Sequence, residues 1–398
     1  MTRRFAICGA TGPVGRALVP LLAERGIEPV IVGRDAAKAR AAFPDHECIP
    51  YADLAGVADS LDLVVNLAAM NNDAQGDDAA FERANVDLAL EIAEAAQPAR
   101  AVYVSSFHTL EAPQASAYAR SKTRGEQALT ERTDLSTLVL RLPAVTGTEN
   151  RGQLAKIEGL PGPLRSPALV AAKALRPTVP VAELARFLDE EAKDWPDAAT
   201  ELSSAQQGNP FYTFGAWLID IGFALAISLL LGWLLAIIWC AIRFDSEGPG
   251  LFAQRRVGLD GKEFTLYKFR TMASGTKQAG THEVSAASIT KIGGWLRRTK
   301  IDELPQVVNI LRGELSLVGP RPCLPVQTQL IEERARRGVF AVRPGITGLA
   351  QIEDIDMSDP ERLARWDRQY VMRRSLLLDL RIILATFTGR GQGDRTGA

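Results

Sequence analysis

The chain has 398 residues, 46 Lys+Arg against 47 Asp+Glu, and 46% hydrophobic residues, which allows two domains of ordinary globular composition apart from one apolar stretch. The near-neutral charge hides an asymmetry, residues 1–200 balancing at −6 and 201–398 at +5; the basic residues of the second half are dispersed among phosphate-type motifs, which favours anionic lipid headgroups and a diphosphate substrate and argues against nucleic acid. Four scattered cysteines without CxxC spacing and three histidines without a metal-site pattern argue against a disulfide framework and a zinc site, and point to a reducing cytosol.

In chain order, Met1 to Arg4 lead straight into an apolar run and a glycine-rich turn, leaving no room for a signal peptide, so the amino terminus is expected to fold where it is made. Up to about residue 200, short aliphatic runs alternate with alanine-rich helical stretches. Phe5–Cys8, Pro29–Val32, Leu63–Leu67, Ala101–Val104 and Thr137–Leu140 read as buried parallel strands, the doubly wound α/β pattern. Gly9-Ala-Thr-Gly-Pro-Val-Gly15 follows the first strand and opens a helix, where glycine lets the backbone approach a pyrophosphate. Tyr118 and Lys122, at i and i+4, share one helix face, so the ammonium can lower the phenol pKa and reach a cofactor ribose. An exposed helix carrying Tyr and Lys by coincidence is the alternative.

Residues 203–210 are polar and turn-rich, and read as a linker. Ile221 to Ile242 then supply 22 residues without a formal charge, about the length that spans a bilayer; a buried helix of a soluble domain is the alternative. Mixed helical patterns with many Gly-Pro turns continue to about residue 386, and the glycine-rich tail is expected to be disordered. The expected domains are therefore 1–202, a linker 203–210, a membrane-inserted helix 211–244, a second catalytic domain 245–386 and a tail 387–398.

Asp302 and Glu303 are adjacent carboxylates within Leu296-Arg-Arg-Thr-Lys-Ile-Asp-Glu-Leu-Pro-Gln306. Arg297, Arg298 and Lys300 are expected to lower their pKa values and hold an anionic substrate, while a carboxylate can bind Mg²⁺ or attack phosphorus. In isolation, a solvated helix start before Leu304-Pro305 would be the default reading.

The glycine motif, Asp53, Asn66-Leu-Ala-Ala69, Ser105-Ser106, Tyr118-Ala-Arg-Ser-Lys122 and Leu140-Arg-Leu-Pro-Ala-Val-Thr-Gly147 together resemble the extended short-chain dehydrogenase/reductase family, the NAD-dependent epimerase/dehydratase type, which acts on nucleotide sugars. The resemblance implies a Rossmann-like domain with cofactor contacts at Gly9, Thr11, Gly12, Val14, Gly15, Asp53, Leu54, Ala68 and Lys122. Tyr118 would be the acid/base, and Ser106 rather than Ser105 would hold the substrate oxygen. Arg34 stands where an acidic residue would bind the free ribose hydroxyl of NAD, which favours the 2′-phosphate of NADP; Asp35 taking the ribose of NAD is the alternative. Asn85 resembles the family's helix residue that supports the site, with a helix-surface position as the other reading. Only residues 148–200 are left for a substrate portion, so a nucleotide-binding scaffold or sensor stands as the rival to turnover.

Phe252-Ala-Gln-Arg-Arg-Val-Gly258, Tyr267-Lys-Phe-Arg-Thr-Met272, Ile301-Asp-Glu-Leu-Pro305, Leu317-Val-Gly-Pro-Arg-Pro322 and Val342-Arg-Pro-Gly-Ile-Thr-Gly348 resemble, in order, the small monotopic phosphoglycosyl transferases of bacterial glycoconjugate assembly. That family moves a sugar phosphate from a UDP-sugar to polyprenol (undecaprenyl) phosphate and releases UMP. The resemblance makes Asp302 the nucleophile and Glu303 its partner in handling Mg²⁺ and protons. It places Arg297 and Arg321 on phosphate oxygens, with Lys268, Arg270 and Arg343 as further candidates; lipid-headgroup contact is the other reading for Arg270 and Arg343. Leu376-Leu-Leu-Asp-Leu-Arg-Ile-Ile383 resembles the family's closing amphipathic segment.

The family breaks its apolar helix at a Ser-Pro pair to form a re-entrant hairpin, which keeps both flanking domains in one compartment. This chain has Gly232-Trp233 at that point and no proline between Pro210 and Pro249, so a bend near Gly232 is the local candidate. The expectation is a bifunctional enzyme on the cytoplasmic face of the bacterial inner membrane, with Mg²⁺ and NADP (or NAD) as cofactors and UDP-sugar, polyprenol phosphate and membrane lipids as partners. The amino-terminal reaction would reduce a UDP-4-keto-6-deoxy-HexNAc or epimerise a UDP-sugar. A homodimer is left open.

Overall fold

Seven parallel strands in the order β3-β2-β1-β4-β5-β6-β9 organise the first part of the computed structural model, which describes residues 2–148, 157, 159–273 and 289–390. β1 (Arg3–Cys8), β2 (Ile27–Gly33), β4 (Leu63–Asn66), β5 (Arg100–Ser106) and β6 (Thr137–Leu142) are the runs read from the sequence. The edge strands β3 (Glu47–Pro50) and β9 (Ala199–Glu201) escape that reading because four and three residues carry too little pattern, as does the separate parallel pair β7 (Ala144–Thr146) and β8 (Thr178–Pro180). Residues 1–169 and 177–207 form this unit, and residues 170–176 and 208–398 form a second.

Both faces of the sheet are buried, so its strands are aliphatic throughout rather than alternating. Phe5, Ile7 and Ile31 pack with helices Pro13–Glu24 and Val181–Glu190 on one face, while Ala6, Cys8, Val30 and Val32 pack with helices Leu88–Ala95 and Ala117–Glu131 on the other. The strand order reverses between β1 and β4, which opens the crevice at their carboxyl ends where such sheets bind ligands.

The 203–210 stretch carries a turn and a helix cap. Ser203, Ala205, Gln206 and Asn209 are buried, and the Asn209 side chain accepts the backbone N–H groups of Phe211 at 3.1 Å and Tyr212 at 3.2 Å. Its polar composition comes from a tight turn and a helix cap, which need the same residue types as a free linker.

Pro210–Asp245 is one 36-residue helix, unbroken through Gly232. The helical run continues through Gly232, since glycine, unlike proline, keeps its N–H and costs only about 1 kcal/mol against about 3. Around it are built the hairpin β10 (Leu251–Val257) and β11 (Glu263–Phe269), the short parallel pair β12 (Ser316–Val318) and β13 (Gly345–Thr347), and helices that include Lys291–Thr299, Thr328–Arg336, Pro360–Arg373 and Leu376–Phe387. The expected disordered tail falls, beyond Arg390, outside the described residues, as do residues 149–156 and 158 of the segment assigned to substrate.

Candidate active sites

In the first unit, Gly9 adopts φ 77°, and a Cβ there would lie 2.7 Å from the backbone nitrogen of Ala68. Glycine thus lets the β1 and β4 turns close on each other. Gly12 is the N-cap of helix Pro13–Glu24, and a Cβ on Gly15 would lie 2.5 Å from Cα of Ala10, so that helix starts tight against its strand. Thr11 is half-buried and its carbonyl accepts from Arg16 Nε at 2.9 Å, while Val14 packs beneath the turn. Arg34 is exposed at the end of β2. Asp35 accepts the Lys38 N–H at 3.0 Å as the cap of the next helix. Asp53 is exposed after β3 and Leu54 is fully buried.

Ser106, Tyr118 and Lys122 come together at the end of β5. Ser106 Oγ hydrogen-bonds His108 Nδ1 at 2.8 Å and the Tyr118 phenol. Ser105 turns away to Glu126 at 2.5 Å, inside a buried Glu126–Arg141–Glu201 ion cluster. Lys122 is buried, donates to the Val104 carbonyl at 2.9 Å and lies 4.3 Å from the Tyr103 ring centroid. Burial pushes its ammonium down to about 7, against the pull of Glu126. The expected lowering of the Tyr118 pKa is not found: burial raises it, and the opposing hydrogen bond comes from Ser106. A desolvated phenol disfavours its anion.

Asn85 is fully buried, not on a helix surface. It accepts the Met70 N–H at 2.8 Å and donates to Ser121 Oγ at 2.9 Å, bracing the helix between Tyr118 and Lys122. It sits in a π-helical turn, Arg83–Asp87, a distortion that often marks functional sites.

In the second unit, helix Lys291–Thr299 ends at Lys300 in the left-handed region (φ 56°), and this reversal aims Asp302 and Glu303 inward on a 3₁₀ turn. β11 supplies Lys268, whose Nζ lies 2.8 Å from Glu303 Oε1, and the Gly319-Pro-Arg321 loop supplies Arg321, 3.2 Å from the same oxygen. A Cβ on Gly319 would lie 2.5 Å from the Arg343 carbonyl, and one on Gly345 would lie 2.1 Å from Gly319 N. Two of the sequence motifs are therefore locked backbone to backbone. Arg297 donates through Nε to Thr271 Oγ1 at 2.9 Å, while its NH1 is buried without a hydrogen-bond partner. An orphaned guanidinium nitrogen beside two carboxylates suits a phosphate oxygen.

The cations split the two acids. Burial opposes ionisation of Glu303, but Lys268 and Arg321 outweigh it and hold the carboxyl at about 2. Asp302 is pushed up to about 6, first by burial and then by the Glu303 charge. The expected joint lowering thus applies to Glu303 alone, and the cations responsible, Lys268 and Arg321, come from distant motifs.

Arg270 and Arg343 do not join this site. Arg270 is buried and donates to the carbonyls of Ile242 at 3.2 Å and Ser246 at 2.7 Å, and to that of Glu247, closing the end of the long helix. Arg343 lies 3.9 Å from Asp220, a buried carboxylate of that helix. Among the described residues no group of three or more His, Cys, Asp or Glu side chains is arranged to hold a metal. A Mg²⁺ held by one or two carboxylates and completed by substrate phosphates needs no such group, and the Asp302–Glu303 pair fits that role.

The model of the bacterial sugar transferase family matches residues 211–391. The sugar transferase EpsL of Bacillus subtilis, itself uncharacterized, is 44% identical over 149 residues, which are 36% of this chain and 71% of that protein. The chain belongs to the bacterial sugar transferase family. The exopolysaccharide production protein PSS of Rhizobium leguminosarum is 38% identical over 44% of this chain and 95% of its own length. The undecaprenyl-phosphate glucose phosphotransferase of Komagataeibacter xylinus is 40% identical over 42% of this chain, and the chain spans 34% of that relative's length. The amino-terminal half of this sugar transferase family member matches the NAD dependent epimerase/dehydratase family over residues 5–159. Among solved structures, the Bordetella bronchiseptica enzyme WbmH in complex with NAD⁺ aligns at 22% identity over 56% of this chain and 83% of that one, with a TM-score of 0.42.

Proposed function

We propose that the second unit transfers a sugar phosphate from a UDP-sugar to undecaprenyl phosphate at the cytoplasmic face of the bacterial inner membrane. The observation that carries this is the unequal acid pair. Glu303 is neutralised by Lys268 and Arg321, whereas no side-chain hydrogen bond among the described residues engages Asp302. An Asp302 oxygen attacks the β-phosphorus, the bond from that phosphorus to the bridging oxygen breaks, and UMP leaves with the electron pair. An oxygen of the polyprenol phosphate then attacks the same phosphorus and frees the Asp302 carboxylate, giving the polyprenyl diphosphate sugar. Arg297 and Arg321 hold phosphate oxygens through planar forks. Mg²⁺, when held by Asp302 and Glu303 with the substrate, would offset phosphate charge. Incubating the full chain with a panel of UDP-sugars and undecaprenyl phosphate, and assaying UMP, tests the reading; no UMP from any member overturns it.

The first unit is proposed to finish that UDP-sugar, with reduction of a UDP-4-keto-6-deoxy-HexNAc the preferred reaction. Bound NADPH would supply hydride at the keto carbon. Tyr118 gives the carbonyl oxygen its proton, Ser106 orients that oxygen, and Lys122 holds the ribose and the phenol's charge. The juxtaposed Ser106, Tyr118 and Lys122 support turnover over a scaffold role. NADPH oxidation with a 4-keto sugar decides between them, and binding without oxidation would favour the scaffold.

A further inference from the structure

We propose that His108 recharges Tyr118 with protons from solvent, passed through the Ser106 hydroxyl, once in every reduction. This rests on the reading of the first unit as a reductase. β5 ends at Ser106, and the chain turns at once into the short helix His108–Glu111. Phe107 is buried and anchors that turn, and Thr109 Oγ1 ties it back, 2.8 Å from the Ser106 carbonyl oxygen. The turn brings His108 onto the serine twice: its backbone N–H donates to Ser106 Oγ at 3.3 Å, and its Nδ1 lies 2.8 Å from the same oxygen. Ser106 Oγ also hydrogen-bonds the Tyr118 phenol, and the His108 and Tyr118 rings stand edge to face with centroids 6.1 Å apart. A path of hydrogen-bonding atoms therefore runs from the phenol oxygen through Ser106 Oγ to His108 Nδ1, and it ends at an exposed residue.

Two other proton carriers near the phenol are closed off from water. Lys122 is 2% exposed, with Nζ on the Val104 carbonyl at 2.9 Å and 4.3 Å from the Tyr103 ring centroid. Glu126 is 6% exposed and is held by Ser105, Thr109 and Arg141. Burial raises the Tyr118 pKa, so the phenolate left by a turnover is a strong base that draws a proton from its nearest donor. In the reduction, Tyr118 yields its proton to the keto oxygen as hydride reaches the keto carbon. After the alcohol leaves, the phenolate takes the Ser106 hydroxyl proton, and Ser106 Oγ takes the Nδ1 proton of the His108 imidazolium. The neutral ring regains a proton from water, so each reduction consumes one solvent proton and leaves all three residues as they began. Imidazole is the side chain that gives and regains a proton near neutral pH.

The test uses the full chain, NADPH and a UDP-4-keto sugar, with His108→Asn, whose amide keeps a hydrogen-bonding group near the Nδ1 position but cannot shuttle a proton. Steady-state turnover should fall about a hundredfold, free imidazole should restore part of it, and NADPH affinity by calorimetry should be unchanged. In stopped flow the first turnover should keep the wild-type rate, because Tyr118 starts protonated, and only later turnovers should slow. A steady state near wild type would overturn the relay. So would a first turnover slowed as much as the rest, which would make His108 an orienting partner of Ser106. A second readout needs no turnover: in the cofactor-free chain labelled with ¹⁵N-histidine, Ser106→Ala should shift the His108 Nδ1 resonance, assigned by its loss in His108→Asn. An unmoved resonance would overturn the pairing itself. A wild type that binds NADPH yet oxidises none with any 4-keto sugar would overturn the reductase reading and the relay with it, whereas an active wild type matched by His108→Asn overturns the relay alone.

Discussion

Asp220 Oδ1 accepts the backbone N–H of Leu317 at 2.7 Å and the Ser316 hydroxyl at 2.9 Å, joining the long apolar helix to the strand that feeds Gly319-Pro-Arg321. Asp220→Ala strands a buried amide, at a cost of about 1–3 kcal/mol, and lets the Arg321 loop drift from Glu303. UMP release should fall at least about tenfold, mainly in kcat, since a shift of about 1 Å in a positioned group costs rate steeply. Asp220→Asn keeps an acceptor oxygen and should recover most of the activity. Equal damage from both substitutions would mean that the charge, not the hydrogen bond, matters.

Asp302→Asn should reduce UMP release to background, because the amide cannot form the phosphoryl intermediate. Glu303→Gln should lose about a hundredfold or more while folding normally. Trapping of sugar phosphate on the protein, read by intact mass without acceptor lipid, is expected for wild type and not for Asp302→Asn. Near-normal turnover by well-folded Asp302→Asn protein would rule out the covalent route.

The Lys122 ammonium, lowered to about 7 from 10.5, is proton-poor in the native state relative to the unfolded chain. The penalty for burying its charge is therefore full below pH 7 and is relieved as pH rises toward 10.5. Lys122→Met removes that dependence. The stability of the cofactor-free wild type minus that of the variant, from denaturant midpoints of the first unit, should rise with pH over this window. A flat difference would place the Lys122 pKa near its ordinary value.

Arg34→Ala should weaken NADPH binding by roughly ten- to a hundredfold, about 1.5–3 kcal/mol for lost bonds to a charged group, with little change for NADH. Calorimetry on both cofactors checks this, and equal losses would return the ribose contact to other residues.

Tyr118→Phe should stop sugar reduction and leave UMP release from a finished UDP-sugar unchanged, because the two sets of residues lie in separate units. Parallel assays on one preparation would show whether the two activities part.

Much of this was legible in the chain because the signals are local. Aliphatic runs that are buried on both faces stay aliphatic, so five of the seven sheet strands could be read directly, and i, i+4 spacing placed Tyr118 and Lys122 on one face. Ordered motifs carried Asp302, Glu303, Arg297 and Arg321 for the same reason. What stayed hidden was partnership. Asn85 and Asp220 look like any helix Asn or boundary Asp until the backbone groups they satisfy, 15 and 97 residues away, are in place.

The amino-acid order by itself determined the two fold types, the apolar helix and the acid pair, since each depends on composition within a short window. Only the tertiary structure decided which cations serve that pair and which close a helix. Lys268 and Arg270 stand two residues apart in one motif, yet Lys268 meets Glu303 and Arg270 is spent on the carbonyls of residues 242 and 246. A guanidinium binds a carbonyl or a phosphate with the same donors, so its local sequence is the same in either role. Burial, likewise a sum over distant neighbours, raised Asp302 while two remote cations lowered Glu303.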